Sequence, residues 1–179
     1  MIDLERTRVI VCTWPDYSID HRLLSSFTNR GLPIHNILAA SRVGNVIERR
    51  NRIVKFLVLP VLSRYDWFVF VDHDHWVANE RLFDPFFDDV EADVVGCEYP
   101  TGSNHSWLTP DMFHMGFVRM RGEVFQKIQP PWFHFTYDEE HTNIIVCECG
   151  NLRNKILEAG MTITNRGKVE HQSSCTWHH

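Results

Sequence analysis

The chain of 179 residues lacks the features that define several common protein classes. No apolar run approaches the roughly 20 residues that a membrane-spanning helix needs. The five cysteines are odd in number and do not have the spacing of a disulfide framework. Residues 1–8 carry too many charges for a signal peptide. We therefore expect a reduced, cytoplasmic protein without a membrane anchor.

Positive charge is also scarce, since the formal net charge is −5 at pH 7. This balance gives no support for general binding to nucleic acid, which requires a basic surface. The chain also has no glycine-rich loop of the P-loop type. Its 44% hydrophobic and 12% aromatic residues are typical of a folded globular enzyme. The length suits one domain, which we assign to residues 1–179.

Segments with strand and helix patterns alternate along the first half of the chain. The predicted strands are residues 8–13, 35–40, 67–71, 92–96 and 113–120, with short β segments at 161–164 and 168–171. The predicted helices are residues 19–29 with Ser18 as N-cap, 45–59, 79–87, a turn at 123–128, and most of 143–159. This alternation predicts an α/β fold with helices on both faces of a central, mostly parallel sheet.

The most informative segment is residues 67–76, WFVFVDHDHW. Five apolar residues predict a buried strand, and Asp72, His73 and Asp74 follow where that strand leaves the core. Ligands of open α/β sheets bind outside the carboxyl ends of the strands. Two neighbouring carboxylates repel each other unless a cation lies between them, so a Mg²⁺ or Mn²⁺ site is predicted there. The alternative is a pair of solvated loop acids.

Other candidate residues lie before and after this segment. Arg50 and Asn51, on the preceding helix, could contact a nucleotide, or could simply form a solvated helix face. His171 ends a late β segment and is either a metal ligand or a structural residue. The acids at 138–140 and Glu148 are candidate general bases, although Glu148 could instead stabilise a helix N-terminus.

In their order along the chain, these segments resemble the GT-A-fold, nucleotide-sugar-dependent glycosyltransferases, from residue 8 to residue 172. Asp72-His73-Asp74 resembles the DxD motif of that family. The resemblance implies a three-layer fold, a Mn²⁺ or Mg²⁺ cofactor and a nucleoside-diphosphate sugar as donor, with uridine as the expected base. The residues that it implies for the donor are Thr13, Trp14, Arg50, Asn51, Asp72 and His73, and those for the metal are Asp72, Asp74 and His171.

The chain departs from the family pattern where a Glu-Asp pair is expected, because it has Glu148-Cys149. A thiol is a poor substitute for the carboxylate that often acts as base in inverting members. The base is therefore Glu148, or an acid such as Asp138 or Glu139, or the reaction retains configuration and needs no such base. The chain is also short for this fold, so either the acceptor is large and supplies its own shape, or a second subunit of a homo-oligomer completes the acceptor side.

Two other functions compete with glycosyl transfer. One is nucleotidyl or phosphoryl transfer on a similar sheet. The other is a zinc-binding module built from soft ligands in the last third of the chain, namely Cys147, Cys149, Cys175, His171, His178 and His179. The acceptor is a glycan, a protein or a modified nucleobase in DNA. The last would use Arg119, Arg121 and Lys127 with the nearby aromatic residues.

Overall fold

The structure is a computed structural model, and it describes residues 1–13, 19–41, 44–99 and 113–171. The strands are β1 (Thr7–Thr13), β2 (Ile37–Ser41), β3 (Trp67–Asp72), β4 (His75–Trp76), β5 (Val94–Glu98), β6 (Phe117–Arg121), β7 (Thr136–Tyr137), β8 (Ile144–Val146), β9 (Ile163–Lys168) and β10 (Glu170–His171). The α-helices are α1 (His21–Thr28), α2 (Val46–Ile53), α3 (Glu80–Phe83), α4 (Val124–Lys127) and α5 (Glu148–Glu158).

Six strands form the central sheet in the order β2-β1-β3-β6-β5-β9. Strand β1 is parallel to β2 and β3, and β5 is parallel to β9. Only β6 runs against its neighbours β3 and β5. Two separate two-stranded ladders, β4 with β10 and β7 with β8, lie outside this sheet. The predicted α/β fold with a mostly parallel sheet is confirmed.

Side chains of the central strands alternate between two cores, as the two-residue period of a strand requires. Phe68 and Phe70 of β3 pack in a core with residues of α2, α4 and α5. Val69 and Val71 pack in the opposite core with residues of α1 and α3. Helices therefore cover both faces of the sheet, and this explains why the strand reads as a continuous apolar run.

Helix α2 connects β2 to β3. It begins after Asn45, whose side chain accepts a hydrogen bond of 2.9 Å from the backbone N–H of Glu48. The helical path continues as a π turn over Val54–Val58 and a 3₁₀ turn over Leu59–Val61, so the predicted helix at 45–59 is confirmed with a change of helix type. Because β2 and β3 both run parallel to β1, α2 must return antiparallel to them. Its N-terminus therefore lies at the carboxyl edge of these strands.

The prediction of one helix over most of residues 143–159 is wrong for its first part. Residues Ile144–Val146 form β8, which pairs with β7, and α5 begins only at Glu148. The β-branched side chains of Ile144, Ile145 and Val146 favour a strand. The carboxylate of Asp138 accepts hydrogen bonds from Thr142 and Asn143, and these close the turn between the two strands.

Smaller differences concern the ends of elements. The N-cap of α1 is Asp20, which accepts a hydrogen bond from the N–H of Arg22, whereas the predicted cap Ser18 lies outside the described residues. The predicted strand at 113–120 begins only at Phe117. Within the described ranges, no helix combines the length and the apolar character that are needed to cross a bilayer.

Candidate functional site

Asp72, the last residue of β3, has the same strand parity as Phe68 and Phe70 and so faces α2 and α5. Its Oδ2 lies 3.3 Å from Nη2 of Arg50 on α2. Nη1 of Arg50 donates to Oε1 of Glu148, the first residue of α5. Arg50 is almost fully buried, and its guanidinium therefore links the end of β3 to the start of α5. Burial alone would lower the pKa of Arg50, but the negative charges of Asp72 and Glu148 outweigh it and raise that pKa.

Asp74 lies in the turn between β3 and β4 and contacts two histidines. Strand β4 pairs antiparallel with β10, so that His171 lies directly opposite His75. Oδ1 of Asp74 is 3.0 Å from Nδ1 of His75, and Oδ2 is 3.3 Å from Nε2 of His171. One ligand atom from each residue lies within 4.8 Å of the other two. We call this group the Asp74–His75–His171 cluster.

The cluster has the charge and the donor atoms of a divalent metal site. Burial would raise the pKa of Asp74, but hydrogen bonds from His171 and His75 hold that pKa well below its usual range. The carboxylate is therefore ionised. His75 is buried, whereas Asp74 and His171 are each about one-fifth exposed, so a cation can reach them. Two imidazoles and one carboxylate suit Mn²⁺ and other first-row transition metals better than Mg²⁺, which prefers oxygen ligands.

Gly116, just before β6, allows the backbone to approach this cluster. Its carbonyl oxygen accepts a hydrogen bond of 2.8 Å from the N–H of Asp72. A Cβ atom at this position would lie 2.7 Å from Cε1 of His75 and would also overlap the hydroxyl of Tyr99. The ring of Tyr99 in turn packs against His75 at a centroid distance of 4.3 Å. Only glycine fits here without displacing the imidazole.

The remaining residues predicted for the donor occupy different environments. Thr13 ends β1 beside the end of β3, and the backbone N–H of His73 donates to the carbonyl of Cys12 at 3.1 Å. Trp14 lies outside the described residues. The amide of Asn51 donates to the carbonyls of Ile47 and Phe133, and its Oδ1 accepts from the N–H of Phe133. Asn51 therefore links α2 to the loop that contains Phe133.

The acids predicted as candidate bases lie in two places. Glu148 lies in the site, with its Oε1 bound by Arg50. Hydrogen bonds from Asn143 and Thr142 lower the pKa of Asp138 to about 2, which suits its role in the β7–β8 turn. Glu139 is exposed at the same turn. In the part of the chain that the structure describes, neither Asp138 nor Glu139 has a hydrogen bond or ion pair with Asp72, Asp74 or Arg50.

Among the described residues, those proposed for a zinc module do not form one site. His171 belongs to the Asp74–His75–His171 cluster, whereas Cys147 and Cys149 form a separate group with Glu148. Cys149 accepts a hydrogen bond of 3.5 Å from the N–H of Met115. The other three candidates, Cys175, His178 and His179, lie outside the described residues.

The sequence analysis missed His75, gave no role to Arg49 and considered Cys147 only as a zinc ligand. His75 follows Asp74 directly, but its importance depends on the pairing of β4 with β10, which has no local sequence signal. Arg49 shares the sheet-facing side of α2 with Ile53, four residues later, and this helical spacing was the available signal. Cys147 is the N-cap of α5, where its Sγ accepts from the N–H of Gly150.

Comparison with known proteins finds similarity in structure rather than in sequence. No protein-family model and no curated protein matches the chain. One similar structure is a mannosyltransferase from Pyrobaculum calidifontis in complex with GDP-Man and Mn²⁺, with a TM-score of 0.54 and 10% identity over 96% of this chain and 58% of that chain. Another is a Drosophila beta-1,4-galactosyltransferase 7 mutant in complex with manganese, UDP-Gal and xylobiose, with a TM-score of 0.55 and 14% identity over 93% of this chain and 68% of that chain.

A third similar structure is a glycosyltransferase involved in glycosylation of the major capsid of PBCV-1. It has a TM-score of 0.54 and 11% identity over 95% of this chain and 94% of that chain. The chain thus spans nearly all of this protein but little more than half of the mannosyltransferase. At such low identities the likeness establishes a shared architecture. The chain has the GT-A fold of glycosyltransferases that use nucleotide-diphospho-sugars.

Proposed function

We propose that this chain is a metal-dependent glycosyltransferase that moves a sugar from a nucleoside-diphosphate sugar to a hydroxyl acceptor. The Asp74–His75–His171 cluster carries this proposal, because it lies just beyond β3, at the sheet edge where ligands of open α/β folds bind. The bound Mn²⁺, GDP-Man and UDP-Gal of the similar structures support the same reaction class. UDP-sugars are the first donors to test.

Mn²⁺ is the metal that these residues fit best, because two of the three donors are imidazoles. Asp74 and His171 would hold it, with His75 as a third ligand or as the group that orients Asp74. A bound divalent cation stabilises the negative charge of the leaving diphosphate. Asp72 pairs with Arg50, so we assign it to the ribose or sugar of the donor, or to the metal through a water molecule.

Glu148 is the best candidate for a general base if the reaction inverts configuration. Its Oε1 is held by Arg50, and among the described residues Oε2 forms no hydrogen bond. Oε2 could therefore accept the proton of the acceptor hydroxyl. Glu148→Gln should then lower the turnover number at least about a hundredfold with little effect on donor binding. Unchanged turnover in this variant would favour a retaining reaction.

The proposed function can be tested by measuring nucleoside diphosphate release from UDP-glucose, UDP-galactose, UDP-N-acetylglucosamine and GDP-mannose, with and without Mn²⁺. The wild type should release UDP or GDP only when Mn²⁺ is present. Asp74→Asn should lose this activity, whereas Asp89→Asn, a substitution of an exposed aspartate, should retain it. Full activity of Asp74→Asn would contradict the proposal. Release of pyrophosphate would instead indicate nucleotidyl transfer.

A further inference from the structure

Arg49 of α2 is a buried cation that forms no salt bridge with the described residues. Its side chain is only 4% exposed. Its Nε and Nη1 atoms are inaccessible to solvent, and neither has a hydrogen-bond partner. The adjacent Arg50 is equally buried but contacts two carboxylates, those of Asp72 and Glu148. The charge of Arg50 is therefore compensated by two carboxylates, whereas Arg49, its neighbour in the same helix, has no such contact among the described residues.

The position of Arg49 places this cation at the carboxyl edge of the sheet. It lies in the N-terminal half of α2, the end of the helix that reaches this edge. Burial lowers the pKa of Arg49, and the nearest groups that act against this effect are Cys12 in β1 and Asp72 at the end of β3. A guanidinium still keeps its proton at neutral pH in a protein. The site therefore contains a positive charge beside the ends of β1 and β3.

An unpaired charge inside a protein costs free energy, so a fold gains nothing by retaining it unless a ligand compensates it. The carboxylates of Asp72 and Glu148 are paired with Arg50, and among the described residues neither forms a salt bridge with Arg49. Methionine could fill similar space without this penalty. This arrangement therefore favours the binding of an anion beside Arg49.

The chemistry of the site selects the class of anion. A guanidinium binds phosphate oxygens in a bidentate manner, and the N–H groups at the start of a helix also favour phosphate. Asp74 of the proposed metal cluster lies only two residues beyond Asp72, a residue whose charge raises the pKa of Arg49. A metal held by the cluster and the guanidinium of Arg49 would therefore both favour an anion at this edge of the sheet, and a diphosphate has the charge for it.

We propose that Arg49 binds the diphosphate of the nucleotide-sugar donor, while Arg50 holds Asp72 and Glu148 in place. The inference depends on the proposed function and adds a residue to its donor site. It differs from the assignment that the family pattern implies, in which Arg50 and Asn51 contact the donor. Both of these side chains are occupied by protein groups, whereas Nε and Nη1 of Arg49 have no hydrogen-bond partner among the described residues.

The test is calorimetric binding of UDP in the presence of Mn²⁺ to the wild type, Arg49→Met, Arg49→Lys and Arg52→Met. Arg52 is the matched control, because it lies on the same helix but is 57% exposed. Arg49→Met should weaken the binding of UDP by about tenfold or more, since a charge-assisted hydrogen bond is lost. Arg49→Lys should bind with intermediate affinity, and Arg52→Met should bind within about twofold of the wild type.

Two further measurements separate a ligand contact from a structural role. Uridine has no phosphate, so its affinity should be the same in Arg49→Met and in the wild type. Without nucleotide, Arg49→Met should melt at the same temperature as the wild type or higher, because an unpaired buried charge has been removed. A lower melting temperature, or unchanged affinity for UDP, would overturn the inference.

The result also distinguishes this inference from the proposed function. If the wild type binds UDP and Arg49→Met binds it equally well, only the role of Arg49 is refuted. A wild type that binds neither UDP, GDP nor inorganic pyrophosphate in the presence of Mn²⁺ would refute both.

Discussion

At the scale of single residues, the site depends on how buried charges are paired. Asp74 is ionised because two imidazoles hydrogen-bond to it, and Arg50 remains charged because Asp72 and Glu148 lie against it. A buried pair that loses one partner leaves the other charge uncompensated, at a cost of about 3–5 kcal/mol. Substitutions at Arg50 should therefore affect stability and activity together, in contrast to those at Arg49.

Cys147 provides a pH-dependent prediction that requires no substrate. The hydrogen bond from the Cys149 thiol, together with that from the Gly150 N–H, lowers the pKa of Cys147 to about 6. The thiolate is the nucleophile, so alkylation of Cys147 by iodoacetamide should rise with pH and reach half its maximal rate near pH 6. Peptide mapping by mass spectrometry measures each cysteine separately.

Cys97 is the internal control for this experiment, because burial raises the pKa of its thiol and should keep it unreactive in the folded protein. Removal of the donor in Cys149→Ala should shift the profile of Cys147 toward higher pH. A half-maximal rate near pH 8.5, the value of an ordinary thiol, would contradict the predicted pKa.

The sequence analysis identified part of this residue-level picture. Asp72 and Asp74 stood out because they end a buried strand, and His171 because of the family pattern. The structure brings Asp74 and His171 together, but their role as metal ligands stays a prediction. His75 could not be recognised in the same way, since its place depends on a long-range strand pairing. The spacing of Arg49 and Ile53 indicates that Arg49 is buried, but not whether the described residues form a salt bridge with it.

At the scale of elements, Asn51 fixes α2 to the loop around Phe133. Its side chain satisfies both the N–H and the carbonyl of Phe133, a fully buried residue. Asn51→Ala should lower the free energy of unfolding by about 1–3 kcal/mol, because buried backbone groups lose their partners. Urea denaturation measures this change.

The exposed residue Asn154 of α5 offers a matched control for that substitution. Asn154→Ala should change the free energy of unfolding by less than about 0.5 kcal/mol. Equal stabilities of the two variants would show that the hydrogen bonds of the Asn51 amide do not contribute to the stability of the fold. In that case the donor contact that the family pattern implies for Asn51 would become the better explanation.

Strand β6 offers a second prediction at this scale, because a glycine lies at each of its ends. Gly116→Ala should weaken Mn²⁺ binding about tenfold or more, since the added Cβ would push against the ring of His75. At the other end, a Cβ at Gly122 would meet Cδ2 of Leu62 at 2.9 Å, the tip of a flexible side chain. Gly122→Ala should therefore reduce stability without changing metal affinity, as calorimetry with Mn²⁺ would show.

Some helices and strands could be predicted from the sequence and others could not, and the reasons are physical. Helix α2 was predictable because an Asn N-cap and a helical spacing of apolar residues agree. Strand β8 was not, because Ile144, Ile145 and Val146 precede a helix directly and an apolar run of three residues has no visible period. Its identity depends on pairing with β7, a contact that Asp138 establishes through the turn.

At the scale of the whole molecule, metal binding should raise the thermal stability of the fold. The Asp74–His75–His171 cluster joins the β3–β4 turn to β10, near the end of the described chain. Mn²⁺ at about 100 times its dissociation constant should add about 2.7 kcal/mol. For a domain of this size, this corresponds to an increase of about 5–10 °C in the melting temperature.

Scanning calorimetry of the wild type with Mn²⁺ or with EDTA measures this increase. Asp74→Asn should melt at the same temperature in both conditions, and Mg²⁺ should stabilise the wild type less than Mn²⁺ does. An equal response of Asp74→Asn and the wild type to Mn²⁺ would locate the metal elsewhere.

The overall architecture was the most predictable level. Alternating strand and helix patterns indicated layers of helices around a sheet, and the order of motifs indicated the GT-A fold. The sheet order and the reversed direction of β6 were beyond the sequence, because strand neighbours are set by contacts far apart in the chain. The same limit applies to β4 and β10, which are too short to carry a pattern.

During translation, β10 is the last described strand to leave the ribosome, and the imidazole of His171 comes with it. A nascent polypeptide that has completed β1 to β6 would have most of its sheet but not the residue opposite His75. Under the proposed function, capture of the metal would therefore have to wait for the synthesis of β10. A nascent chain that ends before β10 would have Asp74 and His75 but not the third member of the cluster.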